Sequence, residues 1–258
     1  MDVLAPPVGV EAFVDWVSLD EWPNPTCPKC LHGHLVGKEG LTKIESGQSE
    51  RWRGDENWDP DWIYGALAGV LRCNNSECGE TVAVAGSWRV GDARSPYEQY
   101  DEQLFVKYFD PPLHMMNVPD GTPESTKGAI EDASRLLLIN PSASANRLRQ
   151  GIESLMDAKK VKKTRYSTPK NGKRKRVRLT LHGRIDSYRA QEPEIADLLE
   201  AVKWIGNDGS HESDLKADEV LIGARILEVA LRRLFETHGA ALDRQVREII
   251  KRKGVRKR

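Results

Sequence analysis

The chain has 258 residues, 39% of them apolar and 30% charged, with 39 Lys+Arg against 39 Asp+Glu. That length accommodates two domains, and no apolar run approaches the ~20 residues of a membrane span. No basic stretch followed by an apolar core opens the chain, so a secretory leader is not expected and the sequence predicts a soluble, cytoplasmic protein.

The zero net charge conceals a split. Residues 1–126 carry 9 Lys+Arg and 21 Asp+Glu, whereas residues 127–258 carry 30 and 18. A swing of this size predicts two units with different surfaces. Either the halves attract each other, or the basic half meets a polyanion.

Residues 7–22 predict a short amphipathic lead-in carried by Phe13, Trp16, Val17 and Trp22, which Trp22-Pro23-Asn24-Pro25 then breaks. The four cysteines of the chain follow as two tight pairs, C-P-K-C (Cys27, Cys30) and C-N-N-S-E-C (Cys73, Cys78). Each pair suits a short turn that aims two thiolates at one ion. Together they predict a structural Zn2+ site, closed by four cysteines and without an open position for chemistry. His32 and His34 lie beside the first pair and are alternative ligands. Residues 38–60 read as a polar loop. Residues 62–72 and 81–90 read as the two strands of a zinc-ribbon hairpin, and 103–109 as a further strand ended by Asp110-Pro111-Pro112. Trp52, Trp58, Trp62 and Trp88 surround this hairpin, either as core packing or as base-stacking platforms.

Val118 to Pro123 is turn chemistry without an apolar face. Beyond it the period becomes helical. Helices are predicted over 124–139, 141–158 (opened by Asn140-Pro141), 180–189, from Pro193 to Gly206, and 214–237, with a basic helix over 241–253. The expected fold is α+β: a small β-rich zinc-ribbon-like domain at 1–118, an all-α bundle at 119–240 and a basic tail at 241–258.

The segment Lys159 to Arg178 holds eleven Lys+Arg and no acidic residue. Asn171-Gly172 gives it a hairpin-like turn. Lys170, Lys173, Arg174, Lys175, Arg176 and Arg178 are its candidate phosphate contacts; the alternative is a solvated connector. A second basic stretch runs from Lys251 to Arg258. His114, His182 and His238 have no evident partner in the sequence.

The string Gly206-Asn207-Asp208-Gly209-Ser210-His211 forms the loop between the fourth and fifth predicted helices. With Arg149 and Glu153 in the second helix and Leu181 to Ile185 in the third, it resembles a bacterial domain-of-unknown-function family of the HEPN superfamily over residues 120–238. The resemblance implies a homodimer that acts on RNA, with metal-independent ribonuclease activity in phage defence or a toxin-type stress response. It implies Asn207 and His211 as catalytic residues of an R-N-x-x-x-H motif. Gly206 stands where that motif has its arginine; Lys203 and Arg149 are the candidates for supplying the charge, and no motif assigns either. A non-catalytic module that binds nucleic acid or a partner protein of a defence or restriction system is the alternative. On chemistry alone, Asn207 and Gly209 equally suit a helix–helix turn, and Arg149 with Glu153 an i,i+4 surface pair.

Overall fold

The computed structural model describes residues 9–93, 97, 99–167, 172–208, 215–236 and 248–251. Its first half is built on three long strands: β4 (Tyr64–Cys73), β5 (Thr81–Asp92) and β6 (Tyr100–Asp110). All three neighbours pair antiparallel, and β1 (Val17–Ser18) extends the sheet beyond β6. β2 (Leu35–Val36) and β3 (Thr42–Glu45) lie end to end along the outer edge of β4. The six strands form a curled antiparallel sheet, a half-barrel.

Strand alternation selects the core. Leu67 and Leu71 of β4, Val82, Val84 and Trp88 of β5, and Leu104, Val106 and Phe109 of β6 are buried. The lead-in caps this layer: Phe13 packs its ring 5.1 Å from Trp22 and 5.0 Å from Phe109. Close strand approach demands glycine at Gly65, where a Cβ would lie 1.9 Å from the Ile44 carbonyl oxygen. Gly86 sits at a bulge, where the β5–β6 register slips after Ala85.

The second half holds α2 (Glu124–Leu136), α3 (Pro141–Ala158), α4 (Leu181–Arg189), α5 (Pro193–Asp208) and α6 (Ala217–Phe235). Asn140 caps α3 by accepting from the Ala143 N–H at 2.9 Å, and Pro141 occupies the first helical position as expected. Ile130, Leu148, Ile152, Leu155, Leu199, Val202, Leu227 and Leu231 form the inner face. The halves touch: Arg135 of α2 donates to Asp110 at the end of β6 at 3.1 Å, and the Asn117 N–H donates to Glu228 of α6 at 3.3 Å. Among the described residues no helix is long and apolar enough to cross a membrane.

The expected fold class is corrected in both halves. The first half is a six-stranded sheet and not a small ribbon. The predicted loop at 38–60 holds β3 and the short helix α1 (Gly47–Trp52). The unpaired edge of β4 recruits β3, and Ser46 caps α1 by accepting from the Ser49 N–H at 3.1 Å. The second half is not an all-α bundle. Between α3 and α4 the chain forms a two-stranded antiparallel ribbon, β7 (Thr164–Ser167) with β8 (Lys175–Arg178). Clustered cations disfavour a helix there, and the β-formers Thr164, Tyr166 and Val177 favour strands. The chain is therefore mixed α and β throughout. α5 also continues past Gly206 through Asp208. Gly206 does not end the helix; it admits α3, because a Cβ there would meet the Ala145 carbonyl oxygen at 3.2 Å and Arg149 Cβ at 3.1 Å. Of the basic helix predicted over 241–253, residues 248–251 are helical and the rest lies outside the described residues.

Candidate metal centre and basic arm

Both cysteine turns are built by backbone hydrogen bonds. The Cys27 N–H donates to Gly33 O at 2.8 Å, and the Gly33 N–H donates to Cys30 Sγ at 3.3 Å. In the second turn the N–H groups of Cys78 and Gly79 both donate to Asn75 O at 3.0 Å, and Gly79 takes the left-handed region at φ 59°. Asn74 ties the turns together. Its side-chain oxygen accepts from the His34 N–H at 2.8 Å, and its own N–H donates to His34 O at 2.9 Å. Gly33 is obligatory, since a Cβ there would lie 2.5 Å from Cys73 Sγ.

The four sulfurs converge. Cys27 Sγ lies 3.9 Å from Cys78 Sγ, and Cys30 Sγ lies 3.7 Å from Cys73 Sγ. Four sulfurs placed tetrahedrally at about 2.3 Å from one ion stand about 3.8 Å apart. The donor set thus fits a single tetrahedral metal ion. Neither His32 nor His34 joins it: His32 is exposed, and His34 Nδ1 lies 3.2 Å from Asn24 O. Without an ion the thiols diverge. The Gly33 and His32 N–H groups draw the Cys30 thiol down to about 6, whereas burial pushes Cys73 up to about 12. A divalent cation at the centre removes that conflict by holding all four as thiolates.

The β7–β8 ribbon projects from the junction of α3 and α4, closed at its root by the Leu179 N–H donating to Lys163 O at 2.8 Å. Tyr166 faces Arg176 and Thr164 faces Arg178 across the ribbon. With the period of two, Arg174, Arg176 and Arg178 share one face with Tyr166. The Arg174 guanidinium stacks 4.2 Å from the Tyr166 ring centre, and Arg176 Nε donates to Thr164 Oγ1 at 3.0 Å. A cavity of about 870 Å³ opens here, lined by Lys162, Lys163, Arg165, Arg174, Arg176 and Tyr166, among others, and by no acidic side chain. Lys173, Lys175 and Arg178 are exposed, and Lys170 lies outside the described residues.

The root is pinned by one carboxylate. Asp157 accepts from Lys163 at 2.7 Å and from the buried Arg184 at 2.6 Å, and these two cations, Lys163 first, hold its carboxyl below the usual range. Arg184 also donates to Val161 O at 3.3 Å.

Three of the four residues expected to be catalytic, Lys203, Arg149 and Asn207, lie where α5 meets α3 and α4. Lys203 is only 3% exposed, and burial pushes its ammonium down from the ordinary lysine value. Its Nζ stands 3.3 Å from His182 Nδ1, 3.9 Å from Glu200 and 3.4 Å from the Trp204 ring centre. Arg149 lies along Gly206 and pairs with Glu153 at 3.9 Å. Asn207 is half-buried, one turn beyond Lys203 on α5; His211 lies outside the described residues.

Sequence reasoning missed the partners of His182. Its Nε2 lies 3.4 Å from Asp186 and its Nδ1 3.4 Å from Glu200. The i,i+4 spacing of His182 and Asp186 was the available signal. These three groups can converge on an ion within 4.8 Å of one another. As arranged, however, the carboxylates face opposite ring nitrogens and the Lys203 ammonium stands beside Nδ1, which disfavours a second cation.

Comparison with known families divides the chain. Residues 15–113 match a family described as a domain of unknown function (DUF8608), and residues 131–253 match a second domain of unknown function (DUF4145). No curated protein and no solved structure matches the chain.

Proposed function

We propose that this is a nucleic-acid-binding protein whose basic arm grips the phosphate backbone of RNA. The carrying observation is the β7–β8 ribbon: a cavity with five cations, no acidic wall and one stacked tyrosine. Three arginines at every second residue present charge along one edge, with almost no amide groups to read bases. We assign the four-cysteine centre to structural Zn2+, since a closed four-thiolate tetrahedron suits that ion and leaves no position for a substrate. Replacing Lys173, Arg174, Lys175 and Arg176 together with alanine is expected to weaken RNA binding evenly across sequences. Unchanged binding at low salt would make the arm a solvated connector.

A second reading, metal-independent RNA cleavage of the HEPN type, draws on Arg149. Its side chain runs along the face of Gly206, so α3 supplies an arginine beside the position where the motif's own arginine is missing. In this reading the protein is a cytoplasmic homodimer of a phage-defence or stress-response system, and His211 and Asn207 of two copies share a cleft. Products ending in 2′,3′-cyclic phosphate, lost in His211→Ala, are the expected result. A protein that binds RNA, cuts none and engages a partner protein of such a system is the opposite outcome.

A further inference from the structure

We propose that His182 is a proton-transfer group of the RNA-cleaving site, acting at the corner between α4 and α5 on a ribose 2′-hydroxyl of the strand held by the arm. This rests on the cleavage reading above. The imidazole is both held and reachable: its side chain is 51% exposed, yet each ring nitrogen has a carboxylate at 3.4 Å, Glu200 at Nδ1 and Asp186 at Nε2. With Glu200 orienting the ring at Nδ1, Nε2 is the nitrogen that exchanges protons, and Asp186 beside it favours the imidazolium.

Lys203 completes the corner. A lysine this deeply buried is costly unless partnered; Glu200 and the Trp204 face partner it here, and its Nζ stands 3.3 Å from the imidazole. Both states of the ring are therefore provided for. The protonated ring has a carboxylate at either nitrogen, and the neutral ring that accepts at Nε2 keeps its Nδ1 proton toward Glu200. A group that takes up a proton and releases it needs partners in both states.

Position argues the same way. His182 follows Arg178 of the arm by four residues, with Thr180 capping α4 between them by accepting from the Gly183 N–H at 3.3 Å. Trp204, 54% exposed with its ring centre 6.3 Å from that of His182, offers a face on which an unpaired base stacks.

The step balances without a further reactant. His182 Nε2 takes the 2′-hydroxyl proton as the 2′-oxygen bonds to phosphorus. The bond from phosphorus to the 5′-oxygen breaks, and that oxygen takes a proton from water. The imidazolium then returns its proton to solvent. The products are a 2′,3′-cyclic phosphate and a free 5′-hydroxyl.

The test is cleavage of an unstructured RNA by the full chain, by His182→Ala, His182→Gln and His211→Ala, with end groups identified and binding measured in parallel. The expected result is a loss of about 100-fold or more in cleavage for both His182 variants, with RNA still bound through the arm. Added imidazole should restore part of the activity of His182→Ala, which a merely structural histidine would not allow. Wild-type cleavage by both His182 variants, with His211→Ala inactive, overturns the inference and leaves the cleavage reading standing. Loss without imidazole rescue in either a folded or an unfolded His182→Ala, with His182→Gln active, assigns His182 to structure and overturns it too. No cleavage by the wild type overturns both.

Discussion

Asp157 holds the root of the arm, and Asp157→Asn measures how much that matters. Arg184 is buried, and its strongest acceptor is Asp157 at 2.6 Å; the Val161 and Glu153 carbonyls at 3.3 and 3.5 Å are weaker substitutes. Its Nε has no hydrogen-bond partner among the described residues. Orphaning a buried ion costs about 3–5 kcal/mol. Asp157 is 44% exposed, so solvent screens part of the pair and the two carbonyls retain part of the cation's bonding. The expected loss is about 2 kcal/mol, which lowers the melting temperature of the helical half by about 6–12 °C. The pH dependence has a definite sign. The carboxyl is depressed in the folded state, so its stabilisation is present above the unfolded value of about 3.9 and is lost as pH falls through the folded value. The gap between wild type and variant should be flat from pH 5 to 8 and should close on further acidification. Thermal melts of both proteins across that range decide the matter. A variant melting within 1 °C of wild type at neutral pH, or a gap that widens in acid, would refute the argument.

Replacing Cys73 and Cys78 together with serine should abolish bound metal, with about one zinc per chain in the wild type by elemental analysis. It should destabilise the sheet half, whose two cysteine turns the ion ties together, while the helical signal in circular dichroism persists, because metal binding contributes folding energy. Gly33→Ala should lower metal content with all four ligands present, because its Cβ would stand 2.5 Å from Cys73 Sγ; full occupancy would refute that. Gly206→Ala should destabilise the α3–α5 contact by about 1–3 kcal/mol in chemical denaturation, and an unchanged midpoint would mean that α3 yields freely.

The parts legible in the sequence were those with local signatures. Paired cysteine spacing identified the sulfur cluster, since each turn is closed by its own backbone. The long strands β4, β5 and β6 and the capped helix α3 showed through alternation and the Asn140-Pro141 signal. β1, β2 and β3 did not, because strands of two to four residues owe their form to the edge they meet. The hairpin-like turn at Asn171-Gly172 is legible within the basic run, but its strands are not, because the charges mask the alternation at Thr164, Tyr166 and Val177. In the sequence Gly206 looks like a helix stop, because a close interhelical contact selects the same residue. His182 had no visible role until α4 and α5 packed and set Glu200 and Lys203 beside it.

The central claim is that the arginine face of the arm holds phosphates. The most direct test is the salt dependence of binding to an unstructured RNA, for wild type and for Arg174→Ala/Arg176→Ala/Arg178→Ala. Each phosphate neutralised on a single strand contributes about −0.7 to the slope of log affinity against log salt. The variant is therefore predicted to bind more weakly and to show a slope shallower by about 2. Equal affinities and equal slopes would contradict the account.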